Sequence, residues 1–558
     1  MKSLLSSLLA ALTVFFLSTA QAQVVQTGWR IASEIKAADD LIGAWEVIAG
    51  YDLDKDGKRE FFFTDDPSVS GRTTLATKPW TVYYYENTGD NTYEKRWSFQ
   101  ATVKNGAARS SPAIAVGDVD KDNLPELYFD TPPEVTDNPP SPKSLYVFEF
   151  DGANFPTTPS ETWNLGVPDN FLFINSGIAI GDVDNDNEVE IILQSRRDDY
   201  TGAGLGRTML VVNSGGIDIG LGLGAFQVEY REMTNVLKGG AVYDPRILDY
   251  DRDGKPEIWV FTFDMFSLAI YEATGPNTYA VQTDINRATE PADEGHRRGM
   301  RFYDANGDGK LEMYTTTING DGDPGSNIYY IGSTDNVASL TKSNVVRLGG
   351  YNPAPGHGGS AVGDIDGDGL MDFLYAGINP ENANAIRSRV YRMEYKGTGS
   401  LADSTSYDWS VFYEDTQGAS DLRNIAIDDL DGDNKMDVLI TNLDVESTND
   451  ATVIIIESES AVAVKDRSIV VTNYALHQNY PNPFNPTTKI AFDLPKSEQV
   501  TLSVYNLLSR KVETLVDQRM APGAYEVTFN AARLPSGIYY YTIEAGKFKT
   551  TKKMVLAK

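Results

Sequence analysis

The chain has 558 residues, of which 79 are Asp or Glu and 48 are Lys or Arg, so its formal net charge is −31. This acidity argues against a nucleic-acid partner, because proteins that read nucleic acids need basic faces. The absence of cysteine excludes disulfide bridges and thiolate metal sites, and a total of three histidines argues against a histidine-rich zinc site.

Residues 1–22 have the pattern of an export signal. Lys2 supplies a positive start, residues 8–17 form a short apolar run, and Ala20 and Ala22 mark a small-residue cleavage site. The apolar run is too short to cross a bilayer, and no later stretch reaches the roughly 18 apolar residues that a membrane-spanning helix needs. We therefore expect an exported chain with no transmembrane span.

One nine-residue pattern recurs seven times, at intervals of about 63 residues. Positions 1, 3 and 5 are Asp or Asn, position 6 is Gly or Asn, and position 9 is Asp or Glu. The predicted metal ligands at positions 1, 3, 5 and 9 of the seven copies are Asp52, Asp54, Asp56 and Glu60; Asp118, Asp120, Asp122 and Glu126; Asp182, Asp184, Asp186 and Glu190; Asp249, Asp251, Asp253 and Glu257; Asp304, Asn306, Asp308 and Glu312; Asp364, Asp366, Asp368 and Asp372; Asp429, Asp431, Asp433 and Asp437.

The spacing favours calcium, at up to seven sites. Carboxylates at positions 1, 3 and 5 of a tight turn converge on one point, and calcium accepts six to eight oxygen ligands in flexible geometry. Gly or Asn at position 6 suits a left-handed backbone conformation. An EF-hand begins similarly but needs a glutamate at position 12 and a following helix, and no copy has a glutamate there. In the fifth copy, Asn306 lowers the charge, which predicts a weaker site.

Strand-like segments flank each loop. Small or apolar residues such as Ala113–Gly117 precede a loop, and apolar runs such as Phe61–Phe63 follow it. Two further strand-like segments follow in each repeat, and four strands per repeat describe a propeller blade. We therefore predict an all-β chain with a seven-bladed β-propeller, which would close by pairing residues 27–35 with residues 453–457.

The nine-residue pattern resembles the FG-GAP (VCBS-type) repeat, known from the propellers of integrin alpha subunits. The resemblance covers roughly residues 45–445 and all seven copies. It implies that each calcium loop joins the first and second strands of a blade, on the face opposite the one that binds ligands.

The C-terminal segment, residues 475–558, has its own pattern of alternating strands. Predicted strands cover residues 489–494, 500–507, 524–530, 537–545 and 552–556, which is typical of a small immunoglobulin-like β-sandwich. The runs at residues 480–490, 504–506, 534–539 and 552–556 resemble the C-terminal sorting domain of the type IX secretion system. An ordinary adhesive sandwich domain is the alternative.

These patterns divide the chain into a signal peptide (1–22), a propeller (23–460), a linker (461–474) and a sorting domain (475–558). The sorting domain implies type IX machinery as a partner, and secretion from, or attachment to the surface of, a Gram-negative bacterium. We expect a monomer.

A second candidate site is predicted at the mouth of the channel opposite the calcium loops, at the far end of the innermost strands. The candidate ligand-binding residues there are Arg109, Asn175, Arg297, Arg298, His357 and Arg423. Such basic groups on an acidic protein suit an anion such as a uronate or a sulfated sugar. The alternative is that the arginines pair with acidic neighbours such as Asp421 and Glu294.

The sequence contains no recognised catalytic motif, so binding or adhesion, to an extracellular glycan or a surface protein, is the favoured function. The alternative is a carbohydrate-active enzyme, such as a lyase on acidic polysaccharide with His357 as base. That alternative rests on analogy with other calcium-containing propellers.

Overall fold

The computed structural model describes residues 23–36, 43–65, 79–101, 112–131, 145–163, 175–195, 209–221, 226–232, 242–262, 267–286, 299–317, 327–349, 359–377, 388–415, 420–445, 450–459, 474–479, 481–494, 498–507, 510–520, 523–531 and 533–557. These residues form strands β1 to β36 and four short 3₁₀ helices, at Ile219–Leu221, Val337–Ser339, Lys342–Asn344 and Ser404–Ser406. The prediction of an all-β chain is confirmed. In the part of the chain described, no helix is long and apolar enough to cross a membrane.

Seven antiparallel sheets with a common four-strand pattern follow one another along the chain, and we call them blades 1 to 7. Two strands precede them, the two-residue β1 (Val24–Val25) and the eight-residue β2 (Trp29–Lys36). Blade 1 contains β3 (Ala44–Tyr51), β4 (Glu60–Asp65), β5 (Thr81–Gly89) and β6 (Thr92–Gln100). Blade 2 contains β7 (Ala113–Gly117), β8 (Glu126–Asp130), β9 (Leu145–Glu149) and β10 (Glu161–Trp163). Blade 3 contains β11 (Asn175–Gly181), β12 (Glu190–Ser195), β13 (Met209–Asn213) and β14 (Gln227–Arg231).

The remaining blades repeat this order. Blade 4 contains β15 (Val242–Leu248), β16 (Glu257–Thr262), β17 (Ser267–Gly275) and β18 (Thr278–Asn286). Blade 5 contains β19 (Arg301–Tyr303), β20 (Glu312–Thr317), β21 (Asn327–Ile331) and β22 (Val345–Gly349). Blade 6 contains β23 (Ser360–Gly363), β24 (Asp372–Gly377), β25 (Arg389–Tyr395) and β26 (Tyr407–Glu414), and blade 7 contains β27 (Leu422–Asp428), β28 (Asp437–Asn442) and β29 (Ala451–Ser458).

Strand β2 supplies the fourth strand of blade 7. It runs antiparallel to β29, with Arg30 opposite Glu457 and Ile35 opposite Val453. The predicted pairing of residues 27–35 with the last blade is therefore confirmed. The structure adds an element that the sequence analysis did not predict, because β1 pairs with β26 and forms a fifth strand at the outer edge of blade 6.

The core of the ring lies between the blades. Seven hydrophobic clusters each join two neighbouring blades, and one of them joins blade 7 back to blade 1. In that closing cluster, Leu439 and Val453 of blade 7 pack with Phe61 and Phe63 of blade 1. Buried faces between sheets in a closed ring are the architecture of a β-propeller.

The first strands of the blades surround a cavity of about 340 Å³, which is lined by residues such as Tyr51, Gly177 and Arg301. Space between these strands is limited, as the small residues on them predict. A Cβ atom at Gly177 would lie 2.5 Å from Cδ of Pro245 and 2.8 Å from the backbone nitrogen of Asp244. A larger residue at this position would therefore push blades 3 and 4 apart.

The C-terminal segment forms two further sheets. One contains β30 (Ala475–Leu476), β31 (Thr487–Leu494) and β34 (Gly523–Asn530), and the other contains β32 (Glu498–Asn506), β33 (Lys511–Met520), β35 (Gly537–Ala545) and β36 (Phe548–Leu556). The two sheets share one hydrophobic core, so they form a β-sandwich. The predicted strands are present, and β30 and β33 are two additional strands that the sequence analysis missed.

Candidate metal centres

Each of the seven acidic loops joins the first strand of a blade to the second, as the resemblance to FG-GAP repeats implied. The residue at position 6 has a positive φ in every loop. These residues are Gly57, Asn123, Asn187, Gly254, Gly309, Gly369 and Asn434, with φ between 65° and 93°. The left-handed conformation that Gly and Asn adopt most easily is therefore the one that the loops require.

Hydrogen bonds inside the first loop turn its carboxylates towards one point. The backbone N–H of Leu53 donates to Oε2 of Glu60 over 2.8 Å, and that of Asp56 donates to Oδ1 of Asp54 over 3.0 Å. Ligand oxygens of Asp52, Asp54, Asp56 and Glu60 lie within 4.8 Å of one another. The four predicted ligands of this loop thus form one group with the size of a cation site.

The same grouping occurs in the second and third loops. Ligand oxygens lie within 4.8 Å of one another in the set Asp118, Asp120, Asp122 and Glu126 and in the set Asp182, Asp184 and Glu190. In the fifth loop, Asn306 donates from Nδ2 to Oδ2 of Asp308 over 3.1 Å and accepts the amide of Asp308 at Oδ1 over 2.9 Å. Asn306 thus replaces one negative charge by a hydrogen bond within the loop.

Position 9 carries the clearest sign that a cation fits. One of its oxygens accepts a backbone N–H from position 2, while the second is buried and has no hydrogen-bond donor in five loops. These oxygens are Oε1 of Glu60, Glu126, Glu190 and Glu257 and Oδ1 of Asp437. Buried carboxylate oxygens need a donor or a metal ion, so the residues present fit a hard divalent cation such as calcium.

Burial makes these carboxylates costly to ionise without a cation. Loss of hydration raises the pKa of Glu60 and Glu126 to about 8 and that of Glu190 and Glu257 to about 9, against an ordinary value of 4.5. The aspartates of each loop raise the pKa further, whereas the backbone N–H bond lowers it. Burial therefore favours a proton or a metal ion beside these groups at neutral pH.

A further recurring carboxylate stands beside position 9 and was missed by the sequence analysis. In four blades the third strand places a glutamate directly opposite position 9; these are Glu149, Glu272, Glu394 and Glu457. The connection between the second and third strands differs in length from blade to blade, so this glutamate has no constant spacing from the loop. A search for a fixed sequence pattern therefore could not find it.

The predicted anion-binding mouth is represented in the described residues by Arg423 and by the backbone of Asn175. Arg423 is 6% exposed, forms an ion pair with Asp421, and lies with its guanidinium carbon 4.8 Å from the ring centre of Trp45. It thus forms the ion pair that the alternative reading predicted. Asn175 begins β11 opposite Ser195. The other predicted residues, Arg109, Arg297, Arg298 and His357, lie outside the described residues.

Charged residues that the sequence analysis did not select lie in the central cavity. Asp244 accepts Nη2 of Arg246 at Oδ1 over 2.6 Å and Nη1 of Arg301 at Oδ2 over 3.2 Å. Asp244 sits at a register shift in β15 with φ of 55°, a conformation that most side chains disfavour. One carboxylate therefore links two guanidinium groups of blades 4 and 5 at the channel wall.

Comparison with known families agrees with the two resemblances. Residues 478–557 match the secretion system C-terminal sorting domain, and residues 52–129 and 364–440 match the FG-GAP-like repeat. The matched repeat segments contain the first, second, sixth and seventh loops. The chain therefore carries FG-GAP-like repeats and a type IX sorting domain, which indicates export to the cell surface or secretion.

Individual relatives are distant. Cartilage acidic protein 1 of Xenopus tropicalis is 23% identical over 352 residues, which are 60% of this chain and 49% of that protein. The chain thus spans about half the length of this curated relative. Among solved structures, PorZ, a surface component of the type IX secretion system of Porphyromonas gingivalis, is 12% identical, with 86% of this chain and 69% of that chain covered and a TM-score of 0.23. A Synechocystis apocarotenoid oxygenase is 9% identical, with 76% and 95% covered and a TM-score of 0.38.

Proposed function

We propose that the chain is an extracellular binding or adhesion module, exported by the type IX secretion system, whose propeller is stabilised by calcium ions held in the blade loops. The observation that carries the calcium part is the buried position-9 oxygen without a donor, which recurs in five loops. A buried carboxylate oxygen without a donor would lower the stability of each blade that contains it, whereas a calcium ion bound to that oxygen would replace the missing donor.

Calcium fits the donor set better than other common ions. The loops offer carboxylate and amide oxygens, and the described chain holds no cysteine, so soft metals lack their preferred ligands. Magnesium requires a near-ideal octahedron and keeps several of its waters, whereas calcium accepts the irregular cages that a nine-residue loop can form. At about a hundredfold excess over its dissociation constant, an ion adds roughly 2.7 kcal/mol per site to the folded state.

The binding role is supported by the export of the chain and by the position of its acidic groups in loops of the scaffold. Export places the propeller outside the cell, where a rigid ring can present its connecting loops to a glycan or a surface protein. The recurring carboxylates belong to loops that connect the strands of the scaffold. A structural role therefore accounts for much of the chain's acidity, and no catalytic role is needed to explain it. The alternative of a polysaccharide lyase gains no support from Arg423, because that arginine is buried against Asp421.

The calcium part is tested on the purified mature chain after exhaustive dialysis against metal-free buffer. We expect bound calcium to be found by elemental analysis, the melting temperature to fall on its removal, and calcium to restore it better than magnesium at equal concentration. An unchanged melting temperature, with no bound calcium before dialysis, would contradict the proposal.

The binding part is tested separately with a glycan array and with immobilised surface extracts, both in the presence of calcium. We expect retention on a defined ligand, and no increase in ultraviolet absorbance when the chain is incubated with uronate polymers. A rise in that absorbance would identify unsaturated products and would replace adhesion by lyase activity.

A further inference from the structure

The guanidinium group of Arg392 lies among the predicted metal ligands of the acidic loop of blade 6. This residue lies on β25, and its side chain is 4% exposed. Its Nε donates to Oδ1 of Asp372 over 2.5 Å and its Nη2 donates to Oδ2 of Asp366 over 2.6 Å. Nη2 also lies 3.1 Å from Oε2 of Glu394. Asp366 and Asp372 are positions 3 and 9 of the loop, so one guanidinium holds two of the predicted calcium ligands.

The other blades provide an internal comparison. The residue that pairs with position 11 of the loop, and so stands beside position 9 on the same face, is uncharged in all of them: Tyr84, Val147, Val211, Ile270, Tyr330 and Ile455. In blade 6 this residue is Arg392, which pairs with Leu374. The position-9 oxygen that lacks a donor in five other loops is the one that Arg392 contacts in blade 6.

A guanidinium and a calcium ion make incompatible use of these oxygens. The guanidinium keeps its positive charge at every accessible pH, and its planar fork matches carboxylate geometry. A calcium ion bound to the same oxygens would bring two further positive charges to within a few ångströms of it, in a site where water screens little. Calcium binding would therefore require the buried arginine to leave its three carboxylates.

We infer that Arg392 is the built-in counter-cation of blade 6, and that this loop, unlike the others, holds no tightly bound calcium ion. The inference rests on the proposed calcium-binding loops, and it removes the loop of blade 6 from the set that binds calcium. The number of calcium ions held by the chain is then one fewer than the number of loops that match the pattern. Asp364, at position 1 of this loop, keeps a buried oxygen without a donor, which a metal ion could recruit if the arginine were removed.

Three variants of the full mature chain test this inference, with bound calcium per chain measured by equilibrium dialysis at low free calcium. Asp249→Asn alters position 1 in blade 4, and Asp364→Asn alters the matched position in blade 6. Each asparagine can still accept the position-6 amide, which donates over 3.1 Å to Asp249 and over 2.9 Å to Asp364. Arg392→Met keeps an unbranched apolar stem but removes the guanidinium group and its charge.

We expect Asp249→Asn to lose one calcium equivalent, Asp364→Asn to lose none, and Arg392→Met to gain one. If Asp364→Asn loses one equivalent as Asp249→Asn does, calcium already occupies blade 6 and the inference is wrong, although the calcium loops stand. If the wild-type chain binds no calcium at all, the proposed function itself fails. Should Arg392→Met not fold, the pair Asp249→Asn and Asp364→Asn still decides between these outcomes.

Discussion

The backbone N–H of Ile219 in blade 3 donates to Oδ2 of Asp120, in the acidic loop of blade 2, over 2.6 Å. The other oxygen of Asp120 accepts the amide of Asp122 within its own loop over 3.3 Å. Position 3 makes the same bond to the following blade at three more boundaries: Asp184 with Asn277 over 2.6 Å, Asp251 with Val337 over 2.8 Å, and Asp431 with Asn91 over 3.0 Å. A loop that binds a cation at position 3 would therefore also hold the next blade in place.

The first prediction separates this contact between blades from metal binding. The two carboxylate oxygens of Asp120 each accept one backbone N–H, from Asp122 and from Ile219, whereas an asparagine has a single acceptor oxygen. In Asp120→Asn, either the amide of Asp122 or the buried amide of Ile219 therefore loses its acceptor. An unsatisfied buried amide costs about 1–3 kcal/mol. In metal-free buffer, where neither variant gains from calcium, we expect Asp120→Asn to unfold at lower urea concentration than Asp122→Asn. Asp122 is the matched control, because its contact to the amide of Leu124 needs only one oxygen. Equal midpoints for the two variants would contradict the coupling.

The second prediction concerns pH in the calcium-free chain. The pKa of Glu60 rises to about 8 and that of Glu190 to about 9 in the folded state, above the ordinary 4.5, mainly because burial penalises the ionised form. The folded chain then binds protons more tightly than the unfolded chain, so the free energy of unfolding increases as the pH falls from this folded value towards the ordinary one. We expect the metal-free chain to melt higher at about pH 5.5 than at about pH 8.

With calcium the trend reverses, because protons and calcium compete for the same carboxylates. Saturating calcium should therefore raise the melting temperature more at the higher pH than at the lower pH. Both series are measured by calorimetry in metal-stripped buffers, with calcium as the single variable. A metal-free chain that loses stability on mild acidification would show that these carboxylates are not held as the structure indicates.

The third prediction concerns the packing of β2, the strand that completes blade 7, against blade 6. Trp29 is 7% exposed, lies at the start of β2 in blade 7, and meets the ring of Phe412 in blade 6 edge-on, with ring centres 5.0 Å apart. Removal of a buried Trp side chain costs about 3–5 kcal/mol. We expect Trp29→Ala to lower the free energy of unfolding by that amount in a denaturant titration. Val24→Ala, at a position that is 52% exposed, serves as control and should change it by less than about 0.5 kcal/mol.

The loops and the closure of the ring could be predicted because they depend on local chemistry. Position 6 needs a left-handed backbone, which restricts it to Gly or Asn, and the open edge of the last blade needs a partner strand. Arg392 could not be recognised as part of a loop, because its place beside Asp372 depends on the register between two strands. The charged set at Asp244 was missed for a similar reason, since it forms between blades at an irregular strand position.

The last prediction concerns Arg423, which the sequence offered either as an anion ligand or as the partner of an acidic neighbour. In the structure its side chain is 7% exposed and that of Asp421 is 6% exposed, so the two charges share one buried site. Loss of one partner from a buried pair leaves an uncompensated charge and costs about 3–5 kcal/mol, whereas replacement of both partners is often nearly neutral. We expect Arg423→Ala to be strongly destabilised in a urea titration, and Arg423→Met combined with Asp421→Leu to recover most of the loss.

Binding measurements on the same variants separate the two roles of Arg423. If it is structural, the double variant should bind acidic glycans as well as the wild-type chain does. The control is Arg96→Ala, which breaks a solvent-exposed pair with Glu94 and should leave both stability and binding close to the wild type. A folded double variant with weakened binding to acidic glycans would show that Arg423 contacts the ligand. Its ion pair with Asp421 would then have to break when the anion binds.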